Sequence, residues 1–241
     1  MELTNKINQF IDRIKLIFNE KLVSIIFYGS IVSGAHQQKT SDYNVLIIVD
    51  AMRIHELHRI SKDLSKWILK YRFSPLIFTT EQLGMLSRVF PIEFFDLQEQ
   101  YQVVYGSDVL KSISLSIEDL KRQLIYEWNQ KIIQIRSRVL ILGTHPQELK
   151  KILFSSSNSA LVLIQATLRI FQKSIPATKV ECLVALRQHF EFDFEIFQMI
   201  HQFKQDNTKI PLNEFEILER YFQAMEQIVV ELYQNHLKEH F

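Results

Sequence analysis

Ile25-Ile26-Phe27-Tyr28-Gly29-Ser30, followed after a short polar stretch by Ser41-Asp42-Tyr43-Asn44-Val45-Leu46-Ile47-Ile48-Val49, is the part of the chain whose reading decides the fold. Both hydrophobic runs are rich in β-branched and aromatic residues, and they predict strands over about 22–28 and 43–49. The first run ends in Gly-Ser, a turn where glycine lets the backbone come close to a ligand. A helix starting at Ile31 would aim its first N–H groups at an anion held there. The second run is polar at its mouth. Residues two apart on a strand point the same way, so Asp42 and Asn44 share one face.

Outward from these runs, Leu3, Ile7, Phe10, Ile11, Ile14 and Ile17 recur at helical spacing and predict an amphipathic helix over about 3–20. A second helix is expected over about 52–70, with Ile54, Leu57, Ile60, Leu64, Ile68 and Leu69 inward. Phe73 to Phe78 reads as a third strand, and Thr79-Thr80-Glu81 opens a short helix. Ile92 to Leu97 and Tyr101 to Tyr105 read as short strand-like runs ending at Gly106.

Beyond about residue 113 the strand pattern gives way to helical periodicity. Ile117, Leu120, Leu124, Trp128, Ile132, Ile135, Val139 and Leu142 form one long stripe that Gly143 ends. Pro146 opens a helix running to about Lys173. Shorter helices at about 177–189 and 193–204 lead to a long last one at about 212–238. Pro176 and Pro211 stand at helix starts, where a missing N–H costs little. The expected fold class is α+β: a mixed sheet with flanking helices in a domain of residues 1–112, then an all-helical bundle domain over 113–241.

A chain of 241 residues that is 47% hydrophobic can bury a sizeable core. With 28 basic and 27 acidic residues the net charge is +1, so no global field argues for DNA, RNA or anionic lipid. Cys182 is the only cysteine, and its neighbours Val180, Leu183, Val184 and Leu186 predict a buried thiol. Met1 to Lys6 has no basic region leading into an apolar core, so no secretion signal is read there. The longest apolar run, Ala160 to Ile164, is too short to span a bilayer, and a soluble cytoplasmic protein is expected.

Gly29-Ser30, the step of twelve residues from Ser30 to Asp42, and Asp-x-Asn within a hydrophobic strand resemble the signature of the polymerase-β-like nucleotidyltransferase superfamily. Its kanamycin-nucleotidyltransferase-like members also carry a C-terminal helical domain. The resemblance covers the first domain through its motifs and the second only in general architecture. It implies that Gly29 and Ser30 hold the triphosphate of a nucleotide, and that Asp42 is the first Mg²⁺ ligand. A third carboxylate on a later strand would complete the site. The activity implied is transfer of a nucleotidyl group from a nucleoside triphosphate to a hydroxyl acceptor. The alternative is a catalytically inactive homologue that binds a nucleotide or a protein partner.

Asn44 departs from the signature by occupying the second carboxylate position. Mg²⁺ prefers charged oxygen ligands, so the amide removes one negative charge from a site meant for two dications. The metal site, Asp42 with Asn44, therefore reads as eroded. Phe73 to Phe78 carries no acid, which leaves Glu93 and Asp96 as the next candidates for the third carboxylate. Both stand among apolar residues, where a carboxylate is costly unless it is paired or ligating. The competing reading is an ion pair with an arginine such as Arg136 or Arg138. Phe90 to Gly106 also resembles the ending of nucleotidyltransferase domains in a bacterial group that often carries Asp-x-Asn.

Other features point less sharply. His55 and His58 share a helix face, and without a carboxylate or cysteine pattern they read as solvated. Ser155-Ser156-Ser157-Asn158-Ser159 either lines a cleft or permits close helix packing. Glu127, Lys131 and Arg138 lie on or beside one helix face, so Glu127 is either a general base or half of a solvated pair with Lys131. Phe190, Phe192, Phe194 and Phe197 read as core.

Overall fold

The computed structural model describes residues 2–32, 42–142, 145–172, 174–206 and 213–237, so the expectations for Gly143 and Pro211 lie outside the described residues. The chain divides into two compact units, Met1–Ser116 and Ile117–Phe241. In the first, strands β1 (Leu22–Tyr28), β2 (Tyr43–Val49), β3 (Phe73–Thr79) and β4 (Tyr101–Gly106) form one sheet in the order β3-β2-β1-β4. β1 runs antiparallel to β2 and to β4, whereas β2 and β3 are parallel. Helix α1 (Glu2–Phe18) precedes the sheet, and α2 (Ile54–Tyr71) supplies the crossover that a parallel pair needs. Helices α3 (Thr80–Val89) and α4 (Pro91–Glu99) connect β3 to β4.

Alternation along β2 splits the core in two. Tyr43, Val45, Ile47 and Val49 pack with Phe10, Ile14, Ile60, Leu64 and Phe73. Phe10 and Phe73 stack with ring centroids 3.9 Å apart. Leu46 and Ile48 pack on the other side with Ile26, Leu83, Phe94, Leu97 and Leu110. Asn44 shares the parity of Leu46 and Ile48, so it belongs to this second face, at the end where the strand begins.

Two expectations need correction. Residues 92–97 are helical: Pro91 takes the first position of α4, and Pro91, Ile92, Phe94 and Leu97 form its buried side. In α2, Ile54 and Leu69 are each 81% exposed and Leu57 is exposed too, leaving Ile60 and Leu64 as its buried residues. The fully buried stripe is narrower than the apolar pattern, with Trp67, Ile68 and Tyr71 packing partly buried against the same core.

Thr79 caps α3. Its hydroxyl accepts from the Gln82 N–H at 3.2 Å, and the Gln82 side-chain oxygen accepts from the Thr79 N–H at 2.9 Å. Thr79→Ala is expected to lower stability by about 1 kcal/mol in urea denaturation, with Thr79→Ser recovering most of it. Equal losses in both variants would mean that the hydroxyl is not what caps the helix.

The second unit is helical throughout its described elements: α5 (Ile117–Leu142), α6 (Pro146–Leu168), α7 (Lys179–Leu186), α8 (Phe194–Asp206) and α9 (Glu214–Leu237). Leu120, Leu124, Trp128, Ile132 and Ile135 of the α5 stripe are buried as expected, whereas Ile117 at its head is exposed. Phe190 and Phe197 are core, and the buried Cys182 thiol donates to the Pro176 carbonyl at 3.3 Å. Among the described residues no helix is long and apolar enough to cross a membrane.

Candidate functional site

Gly29 leaves β1 with φ +73°, a left-handed conformation that residues with a β-carbon rarely adopt. Its N–H donates to the Gln100 carbonyl at 3.2 Å, and its own carbonyl accepts from Val32 at 2.9 Å. The turn is therefore fixed on one side by the residue after α4. On the other side, a β-carbon at Gly29 would lie 3.3 Å from Asn44 Nδ2. Gly29 and Asn44 are thus brought together. Ser30 contributes its backbone to the 3-10 turn Gly29–Ile31; its side chain lies outside the description. Ile31 ends that turn, and the helix expected to follow from it lies outside the described residues.

Asp42 is the residue before β2, and it is exposed. Its Oδ1 accepts from Arg72 Nε at 2.8 Å. Arg72 closes α2 in the left-handed region, φ +59°, and its carbonyl accepts from the Tyr43 N–H at 2.8 Å. Both backbone and side chain of Arg72 are therefore tied to the start of β2. Sequence reasoning did not find Arg72. The signal lies in strand pairing: Tyr43 and Phe73 are parallel partners, so the residues before them, Asp42 and Arg72, are neighbours.

The same register sets Ser74 beside Asn44. Paired residues of adjacent strands point to the same side, so a third acid on β3 would need Ser74's place. Glu93 and Asp96 stand one turn apart on α4, and both are exposed rather than embedded in apolar surroundings. Of the arginines considered for them, Arg136 pairs with Glu226 at 2.7 Å and Arg138 donates to Ser155 at 2.9 Å. Among the described residues no group of three or more His, Cys, Asp or Glu is placed to hold a metal. His55 and His58 are both exposed on α2.

Among the described residues, the mouth of the sheet thus brings together the Asp42 carboxylate, the Arg72 guanidinium, the Asn44 amide and the Ser74 hydroxyl. Nearby, Tyr28 and Tyr101 face each other on the paired ends of β1 and β4. Burial raises the Tyr28 phenol above its ordinary value, so it stays neutral across the working pH range. Tyr101 donates to Asp108 at 3.0 Å.

In the second unit the serine tract divides by position. Ser156 and Ser157 are buried and bond back to carbonyls of their own helix, which suits close packing. The exposed Ser159 and Ser155 accept from α5, from Lys131 at 2.5 Å and from Arg138 at 2.9 Å. Burial lowers the Lys131 ammonium, with the Glu127 carboxylate opposing that shift. Lys131 thus engages Ser159 directly while Glu127 acts on it through its charge.

No family model matches the chain. Over 106 residues, 43% of this chain and 98% of the relative, it is 32% identical to a candidate protein adenylyltransferase of Methanocaldococcus jannaschii. Among solved structures it resembles a spectinomycin adenyltransferase from Enterococcus faecialis crystallised with ATP and spectinomycin. That likeness has a TM-score of 0.59 at 13% identity and covers 95% of this chain and 99% of that one, so it speaks for the two-part fold. The mixed sheet, the helical unit after it and the full-length match to an adenylyltransferase relative agree: the chain belongs to the nucleotidyltransferase superfamily.

Proposed function

We propose that the first unit binds a nucleoside triphosphate, with ATP the preferred one, at the Gly29–Ser30 turn against Asp42 and Asn44. The observation that carries this reading is Gly29 itself. Its left-handed backbone, tied to Gln100 and laid against the Asn44 amide, leaves a bare peptide edge where a β-carbon would intrude. Such an edge lets phosphate oxygens approach backbone N–H groups. The adenylyl chemistry in the names of the two comparison proteins favours adenine.

The superfamily implies Mg²⁺. Among the described residues the donors at this mouth do not fit a two-metal centre, because Asn44 and Ser74, the pair beside Asp42, bring no charge. Binding is therefore the function proposed, and no step is derived through a metal. A second reading is favoured by the archaeal relative: transfer of the nucleotidyl group to a hydroxyl, with a protein as acceptor. In it Asp42, Asn44 and one of Glu93 or Asp96 would serve the reaction. A mass increase of one adenylyl group on an acceptor would establish it.

Gly29→Ala is the direct test. The added β-carbon meets Asn44 and sits in the left-handed region, so ATP affinity is expected to fall about tenfold or more. Calorimetric titration of the full chain with ATP, GTP, CTP and UTP gives the readout. Absence of binding to all four by the wild-type chain removes the proposal. Unchanged affinity in Gly29→Ala moves the nucleotide away from this turn.

A further inference from the structure

We infer that the first unit carries a second binding site, a cleft between α3 and the segment after β4. It takes a small organic oxyanion, with the carboxylate or phosphate on Arg88 and the apolar body on the bare backbone of Gly84. The cleft holds about 440 Å³, a size usual for small-molecule sites. One wall is helical: Thr80, Gly84, Ser87 and Arg88 stand at i, i+4, i+7 and i+8, so they share one face of α3. The other wall runs from Val109 to Ser114, and Leu83, Val109 and Ile113 supply the apolar lining. The cleft shares no residue with the mouth assigned to the nucleotide.

Hydrogen bonds fix the second wall before any ligand arrives. Gln98 Nε2 on α4 donates to the Leu110 carbonyl at 2.8 Å and to the Ile113 carbonyl at 2.9 Å. Leu110 is fully buried and packs with Leu83, Phe94 and Leu97. A wall held in this way needs little ordering when a ligand binds.

Three donors line the cleft unengaged. Among the described residues, the side chains of Thr80, Arg88 and Ser114 make no hydrogen bond or ion pair. Ser87 and Ser112, by contrast, direct their protons to the Gly84 and Val109 carbonyls, at 3.1 and 2.8 Å. No carboxylate is among the lining residues, and Asp108, next to Val109 in the chain, accepts from Tyr101 and the Lys111 N–H. A guanidinium offers paired N–H groups to a carboxylate or a phosphate alike, and the two free hydroxyls add a donor from each wall.

Gly84 is a second, independent sign. Glycine inside a helix weakens it relative to alanine. Gly84 has no positive φ, and nothing lies within 4 Å of the place its β-carbon would take. Neither backbone conformation nor packing within the protein therefore calls for glycine there. The room left by the missing side chain opens on the cleft, where an aromatic or aliphatic body can lie against the helix beside Leu83.

Amide NMR of the full chain, titrated with phenyl phosphate and separately with benzoate, tests this. Saturating shifts are expected at Gly84, Ser112 and Ser114, with dissociation constants on the order of 1 mM for ligands of this size. The tighter of the two identifies the head group. Inorganic phosphate lacks the apolar body and phenol lacks the charge, so each should bind about fivefold more weakly or worse. Arg88→Gln should weaken the tighter anion about tenfold. Gly84→Leu should abolish the shifts at Ser112 and Ser114, with a melting temperature no lower than wild type, because leucine suits a helix better than glycine. Phenol binding as tightly as phenyl phosphate overturns the inference. Wild-type affinity in either variant does so too, as does the absence of shifts at these amides with both anions.

Discussion

Replacing Gly106 by alanine is expected to destabilise the first unit by about 3 kcal/mol, from left-handed strain of about 1–2 and overpacking of about 1–3. Gly106 ends β4 at φ +78°, and a β-carbon there would lie 1.9 Å from the Val23 carbonyl oxygen and 2.9 Å from its carbon. Both are backbone atoms, so no rotamer change relieves the clash; the strand itself must move. Gly106 pairs with Ser24, and this ladder runs on to Tyr28 opposite Tyr101 before the Gly29 N–H reaches Gln100. A displaced β4 therefore disturbs the support of the turn assigned to the nucleotide. The melting temperature should fall by on the order of 10 °C, and amides of β1 and β4 should exchange faster. Gly84→Ala is the matched control. Nothing lies within 4 Å of its added β-carbon, and within α3 alanine should stabilise by up to about 1 kcal/mol. Similar melting temperatures for the two variants would contradict the clash argument.

The two central strands, β1 and β2, were legible because their hydrophobic runs are buried on both faces. β1 and β2 occupy the segments that their composition predicts. α4 was not legible as a helix. Ile92-Glu93-Phe94 alternates like a strand over three residues, too few to separate a period of two from one of 3.6. The same misreading made Glu93 and Asp96 look embedded. Their apolar neighbours in sequence occupy the buried side of a helix, and the acids are left on its exposed side.

What lay furthest from the sequence was the pairing across strands. Thirty residues separate Asp42 from Arg72, and nothing local links them. Their meeting depends on β2 and β3 running parallel with Tyr43 beside Phe73, and on α2 ending in a left-handed residue. That same register gives Ser74, not an acid, as the neighbour of Asn44. The departure of Asn44 from the family signature was thus visible in one strand. Its consequence, an uncharged neighbour in Ser74 and a guanidinium on Asp42, needed two more.

Trp128→Ala is expected to have the largest effect on the helical unit, a loss of about 4 kcal/mol. Trp128 is fully buried on α5, which packs against α6 and α9. Its indole Nε1 donates to Thr167 Oγ1 on α6 at 3.3 Å. The Thr167 hydroxyl in turn donates to the Leu163 carbonyl at 2.7 Å, so removing the indole leaves that hydroxyl proton satisfied. Most of the loss should then come from the cavity and not from the broken hydrogen bond. Trp128→Phe separates the two contributions: it deletes the N–H but keeps most of the aromatic volume, and about 1–2 kcal/mol is expected. Urea denaturation of both variants, with an unchanged dependence on denaturant, gives the comparison. If phenylalanine costs as much as alanine, the bond to Thr167 and not the volume holds α5 against α6.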